Sequence, residues 1–264
     1  MKLQVLVSVI DSNIDEVCNN LNIKTDAIII NQTNYNSYEE KYRYNGENFI
    51  RCYSFKERGI GISRNNALLR AQSDICVIAD DDVKYVDNYD DIIMKAYNKY
   101  ADADMIVFNV PSLNVDRTDY FIKKNGRIHL YNCLRYGAFR FTFRTTSIKK
   151  ANIYFSLLFG GGAKYGSGED SLFILECVRR GLKVYCNKNV IGTVRQNKST
   201  WFEGYNKKYV FDKGALIGAG FGRMMKYIVF TYMLHKLHEQ TKFKYKKIWK
   251  LLLAGSNDFK NCVK

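Results

Sequence analysis

Proline occurs once in the 264 residues, at Pro111, so no proline-rich linker or rigid hinge divides the chain into independent domains. The seven cysteines are scattered and odd in number, with no CxxC and no Cys/His pair at zinc spacing. Reduced core thiols are therefore expected, as in Ile75-Cys76-Val77, rather than disulfides or a metal cluster. No apolar run approaches the roughly 18 residues a membrane span needs. Met1 and Lys2 lead straight into a strand-like segment without signal-peptide architecture, and the expected location is the cytoplasm. Internal repeats are absent. Acidic residues are also in deficit, at 26 Asp and Glu against 41 Lys and Arg, for a net charge of +15. About half of that excess lies beyond Gly222, where ten Lys and Arg meet only Glu239 and Asp258. Such a charge seeks nucleic acid, an anionic membrane or anionic small molecules.

What is present is the composition of a folded protein, 47% hydrophobic and 25% charged. Buried parallel strands are predicted at Leu3–Ile10, Asp26–Asn31, Ile50–Phe55, Ile75–Ala79 and Met105–Val110, from continuous β-branched or apolar runs. Helical stretches separate several of them, at 13–21, 61–71 and 90–100. The polar, Tyr-rich stretch 35–47 is expected to be a loop with a short element. This alternation predicts an α/β fold with a doubly wound, mostly parallel sheet, whose ligands bind beyond the carboxyl ends of the strands. Asp11, Asn31 and Asp80 to Asp82 all follow strand ends and should cluster. Residues 127–144 are aromatic and basic, which suggests strands at one edge of the sheet. A further short strand is expected at 182–186, and the chain beyond Trp201 is expected to be helical. The expected divisions are a nucleotide-binding half (1–110), an acceptor-binding and catalytic half of the same domain (111–205) and a helical, basic extension (206–264).

The strongest single signal is Asp80-Asp81-Asp82. Three carboxylates after a buried strand repel one another and lose solvation, a cost that a cation removes. Oxygen-only ligands suit Mn²⁺ or Mg²⁺, whose shell substrate phosphates commonly complete. The plainer alternative is a solvated acidic turn. Upstream, Glu57–Asn66 sets glycines, Arg58 and Arg64 at the mouth of a helix, where cations and free amides attract a diphosphate. The alternative there is an ordinary loop with Ser63 as helix cap. Glu169-Asp170 opens a later helix after the glycine-rich segment 159–163, where one carboxylate can deprotonate an acceptor hydroxyl. Favourable charge at a helix start explains the same pair more simply.

Together these segments resemble the family 2 glycosyltransferases of the GT-A fold, of the bacterial surface-polysaccharide type, over roughly residues 3 to 215. The matching stretches are 5–13, 27–32, 58–71, 75–83, 160–173 and 199–205, in the family's order. The resemblance implies a metal held by Asp82 and Asp80, with Asp80 and Asp81 also near the nucleotide. Arg64 would help hold the donor, Asp170 would be the base of an inverting reaction, and Glu169 would support it. Asp11, Asn31, Gln32, Arg58 and Lys198 complete the expected donor site. Trp201, Gly161 and Gly162 fall on the acceptor side. The implied activity is hexosyl transfer from a nucleotide diphosphate sugar, a UDP-sugar by resemblance, to a saccharide or lipid-linked saccharide hydroxyl in surface-polysaccharide synthesis. Two departures stand out. Asn31-Gln32 replaces an acidic residue that commonly meets the base, and no His occurs in 193–200, where Arg195, Gln196, Asn197 or Lys198 stands instead.

The stretch 226–237 is apolar nearly all round, so it is either buried or in contact with lipid. The basic, Trp-bearing stretch 242–253 fits an interfacial helix on an anionic membrane. Packing on the domain or on a homo-oligomer partner is its other explanation. Two other classes of function compete with the enzyme. A nucleic-acid-binding module would use the Lys-interleaved aromatics, but the acidic triplet repels phosphates unless metal fills it. A catalytically silent membrane-docking subunit would not be expected to retain Arg64, Asp82 and Asp170 together.

Overall fold

The computed structural model describes residues 1–43, 48–114, 120–195, 204–222 and 224–263. In chain order the elements are β1 (Leu3–Ile10), α1 (Ile14–Asn20), β2 (Asp26–Gln32), β3 (Ser37–Arg43), β4 (Asn48–Phe55), α2 (Ile60–Arg70), β5 (Ile75–Asp80), β6 (Val83–Tyr85) and α3 (Tyr89–Lys99). They continue with β7 (Met105–Asn109), β8 (Gly126–Arg127), β9 (Phe141–Arg144), α4 (Thr145–Lys150), α5 (Glu169–Arg179), β10 (Val184–Val190) and β11 (Gly192–Val194). Three helices close the chain: α6 (Lys207–Gly220), α7 (Met225–Thr241) and α8 (Tyr245–Cys262).

The main sheet runs β3-β4-β2-β1-β5-β9-β7-β10-β8. Strands β4, β2, β1 and β5 are mutually parallel, and β7 and β10 run the same way beyond an antiparallel β9. The sheet is thus mostly parallel, as expected. Two expectations need correction. Residues 35–47 hold a full strand, β3, paired antiparallel to β4 from Ser37–Ser54 to Arg43–Asn48. It escaped notice because an edge strand can stay polar, with its backbone paired on one side only. The segment 127–144 does not form edge strands throughout. Only β8 lies at an edge, while β9 is inserted between β5 and β7, where Phe141 and Phe143 are fully buried.

Both faces of the sheet are covered because strand side chains alternate. Val5, Val7, Val9, Ala27 and Ile29 pack on Val17, Tyr89, Ile93 and Tyr97 of α1 and α3. Leu6, Ile28, Ile30 and Ile78 pack instead with Ala67 and Leu68 of α2 and with Phe173 and Ile174 of α5. Both buried faces explain why the central strands read as unbroken apolar runs.

The C-terminal helices have their own core of Val210, Ile217, Phe230, Leu237, Ile248 and Leu252. Helices α6 and α8 meet backbone to backbone: a Cβ at Gly214 or Gly255 would overlap main-chain atoms of Leu252 or Phe211. Residues 226–237 are neither wholly buried nor wholly exposed. Phe230 and Leu237 face inward, whereas Ile228 and Tyr232 are 61% and 87% exposed. Among the described residues no helix is long and apolar enough to cross a membrane.

Candidate active site

Asp11 follows β1 with a left-handed backbone (φ 44°), and Asn31 and Gln32 are the last residues of β2. Asn31 is spent on the neighbouring turn: its Oδ1 accepts from the Ser12 amide at 3.1 Å and its Nδ2 donates to the Ser12 carbonyl at 2.9 Å. The Gln32 side chain accepts from the Gly59 amide at 2.7 Å. Arg58 donates to the Gln32 carbonyl and pairs with Asp11 at 3.0 Å. These residues therefore form one connected group at the entry to α2. Both buried amides position backbone there.

The helix itself starts at Ile60 with Gly59 as its cap residue, so Ser63 is not the cap. Ser63 is fully buried inside the first turns, and its hydroxyl has no partner among the described residues.

One turn later α2 presents Arg64, whose side chain is 5% exposed. Its Nη2 donates to Asp80 Oδ1 at 2.7 Å and its Nη1 to Glu169 Oε1 at 2.9 Å. A single guanidinium thus joins the end of β5 to the start of α5. Burial opposes its charge, but Asp80 and then Glu169 outweigh that penalty, so the Arg64 pKa rises. Desolvation first, and Asp80 second, push the Asp81 carboxyl up. Asp82 is half-buried, and its carbonyl accepts from the Arg195 amide at 2.9 Å. The β6–β11 ribbon enforces that contact, because Val83 pairs with Val194. Arg195 is therefore held beside the aspartates. Gln196, Asn197, Lys198 and Trp201 lie outside the described residues.

The glycine segment fixes the carboxylate pair from the other side. Ile60 donates its amide to the Gly161 carbonyl at 3.0 Å, and Gly160 donates to the Tyr165 carbonyl at 2.9 Å. Gly160 has φ +107°, and a Cβ there would stand 2.6 Å from Ile60 Cγ2 and 2.9 Å from the Glu169 carboxylate. Only glycine suits both demands. Asp170 is half-buried and its Oδ1 accepts from the Ser171 amide at 2.6 Å. Burial first and Glu169 second push its carboxyl up to about 6, while Arg64 and Lys213 pull the other way. A carboxylate so placed can take a proton near neutral pH.

Sequence reasoning did not find what the C-terminal helices bring. Lys213 of α6 lies 3.5 Å from Ser167 Oγ and over the Tyr209 ring, 5.3 Å from its centroid. Burial lowers its pKa, and Asp170 is foremost among the charges opposing that shift. Asp212 accepts from the Gly166 amide at 2.9 Å and from Lys208 at 2.6 Å. From α8, Asp258 accepts from the Tyr165 hydroxyl at 2.7 Å and pairs with Lys164 at 2.7 Å. Between this loop and α6 opens a cleft of about 310 Å³, lined by Gly161, Gly162, Ser167, Asn206, Tyr209 and Asp212. The available signal was Gly214-x-x-x-Gly218 with Gly255, a spacing that lets helices approach closely and so carry α6 to the loop.

Among the described residues no three His, Cys, Asp or Glu side chains are grouped so as to hold a metal ion. The donor set still suits a hard divalent cation. Asp80 and Asp82 supply only oxygen, and Asp80 and Glu169 share a single guanidinium between them.

No protein-family model and no curated protein matches the chain. Solved structures do. The crystal structure of S. aureus TarS 1–349 in complex with UDP-GlcNAc superposes with a TM-score of 0.68 at 14% identity, covering 100% of this chain and 82% of that one. TarS 1–349 alone gives 0.65 at 13% identity, covering 98% and 83%. Its complex with UDP gives 0.60 at 14%, covering 93% and 73%. At such identity the likeness is one of fold, and that fold is GT-A.

Proposed function

We propose that this chain is a glycosyltransferase that moves a sugar from a UDP-sugar to a hydroxyl of a saccharide or lipid-linked saccharide, with inversion at the anomeric carbon. The observation that carries this is the Arg64 bridge: Asp80 at the end of β5 and Glu169, which opens α5 next to Asp170, meet through one buried cation. Nothing in the packing of a plain α/β domain calls for three carboxylates and a guanidinium at a sheet's mouth. The structural likeness to TarS, which was crystallised with UDP-GlcNAc, supports a nucleotide-sugar donor.

In this reading the diphosphate lies between the entry to α2 and the β5 end, near Arg58, Arg64 and the aspartates. Mn²⁺ or Mg²⁺ held by Asp80 and Asp82 would neutralise charge developing on the leaving diphosphate. Asp170 takes the proton of the acceptor hydroxyl as that oxygen attacks the anomeric carbon and the diphosphate leaves. Glu169, fixed by Arg64, raises the proton affinity of Asp170 by charge alone. The cleft beside Gly161 and Gly162 would take the acceptor.

Calorimetric titration with UDP, with and without Mn²⁺, tests the reading directly. Metal-dependent binding that is lost in Asp82→Ala is expected, together with UDP-sugar hydrolysis in the presence of Mn²⁺. Absence of heat with every nucleoside diphosphate would overturn it.

A further inference from the structure

Helices α7 and α8 form a surface that the site does not use. Residues 225, 228 and 232 share one face of α7 by helical spacing. Met225, Ile228 and Tyr232 are 51%, 61% and 87% exposed, and Met224 just before the helix is 82% exposed. Phe230 and Leu237, on the opposite face, fill the helical core. Tyr227 stacks on Trp249 with ring centroids 6.1 Å apart, which packs the first turns of α8 against α7. Those turns and the connection before them present Lys242, Lys244, Lys246, Lys247 and Lys250 to solvent. Of the two acidic residues of the tail, Glu239 lies two turns beyond Tyr232 on the same face and is paired there with His235 at 3.2 Å, and Asp258 is paired with Lys164 at 2.7 Å.

We propose that this face docks on a bilayer surface containing anionic lipid. Helix α7 lies in the interfacial plane with Met225, Ile228 and Tyr232 at the headgroup–acyl boundary, and the α8 lysines rest on the headgroups. The combination is what selects the occupant. An apolar strip on an otherwise soluble fold seeks burial, and a flanking row of lysines seeks negative charge; an anionic bilayer offers both at once. A second copy of the chain would set the same lysines against themselves across a two-fold axis. A polynucleotide would satisfy the lysines and leave the methionine and isoleucine in water. The inference does not depend on the transfer reaction proposed above.

Co-sedimentation of the full chain with vesicles tests it. Binding is expected to phosphatidylcholine vesicles containing phosphatidylglycerol, weakening by about tenfold or more on pure phosphatidylcholine or at high salt. The double variant Ile228→Glu, Tyr232→Glu should lose a comparable factor, and so should the triple variant Lys246→Glu, Lys247→Glu, Lys250→Glu. Unchanged circular dichroism and thermal melting would establish that both variants fold. Equal binding to neutral vesicles, no binding to anionic ones, or indifference to either set of substitutions would overturn the proposal. So would a lipid-free dimer, seen by light scattering, that Ile228→Glu dissociates.

Discussion

Arg64 donates to Glu169 at 2.9 Å across 105 residues of chain, and the same guanidinium reaches Asp80 at 2.7 Å. The bond joins two segments that are unrelated in sequence and makes them one electrostatic unit. Replacing Arg64 by Met leaves both carboxylates without their buried cation. Breaking a buried pair in this way costs roughly 3 kcal/mol. Urea denaturation should show that loss, and Arg64→Lys should restore only part of it because one ammonium does not reproduce the two-pronged contact.

Asp170→Asn keeps the shape and removes the proposed base. Transfer should fall by about 10² to 10⁴-fold, while metal-dependent UDP binding stays within a few-fold of the parent. The wild-type rate should rise with pH through about 6, where the carboxylate forms, and then level. Steady-state kinetics across pH, paired with calorimetry, checks both halves. Unchanged turnover in the variant would remove Asp170 from its role.

The same carboxyl makes a prediction about stability. Its folded pKa of about 6 lies above the ordinary 3.8, so the folded chain holds this proton more tightly than the unfolded chain. Its ionisation therefore costs stability as pH rises between those two values. Asp170→Asn should melt higher than wild type at about pH 7.5, and the difference should vanish below about pH 3, where the wild-type side chain is neutral in both states. Thermal scans at the two pH values decide it.

Much of this arrangement was legible beforehand, and the reasons differ by element. Strands β1, β2, β5 and β7 announce themselves because both of their faces are buried, so their sequences are apolar without interruption. The helices α2, α3 and α5 follow from 3.6-residue spacing, and Asp80, Arg64 and Glu169 from residue type at element ends. Strand β3 was not legible, since a polar edge strand has no periodic apolar signal. Neither was the position of β9, whose neighbours are fixed by topology and not by its own residues. Lys213 and Asp258 were invisible for a third reason. Their partners lie 46 and 93 residues away, measured from the bonds Lys213–Ser167 and Asp258–Tyr165, and no local pattern encodes such a distance.

Lys213 should therefore be tested as a positioning residue. Its cation lowers the Asp170 pKa. Removing it in Lys213→Met should shift the acidic limb of the rate profile to higher pH, and Lys213→Arg should bring it back. A loss of activity without any shift of that limb would mean that Lys213 only packs.

The α6–α8 contact makes a packing prediction. A Cβ on Gly255 would overlap the Phe211 carbonyl and approach the Ala215 amide within 2.9 Å. Gly255→Ala should cost about 1–3 kcal/mol as the two helices separate. Because α6 carries Asp212 and Lys213, activity should fall more than stability alone explains, which chemical denaturation and kinetics on the folded fraction can separate.

The insertion of β9 between β5 and β7 also dictates an order of assembly. As the chain emerges from the ribosome, β5 and β7 are made early, yet neither can complete its hydrogen bonding until residues 141–144 arrive to lie between them. Through that interval two of the most apolar strands present open edges, the state in which nascent chains adhere to one another. A fragment ending near residue 110 is accordingly expected to aggregate, whatever nucleotide is supplied.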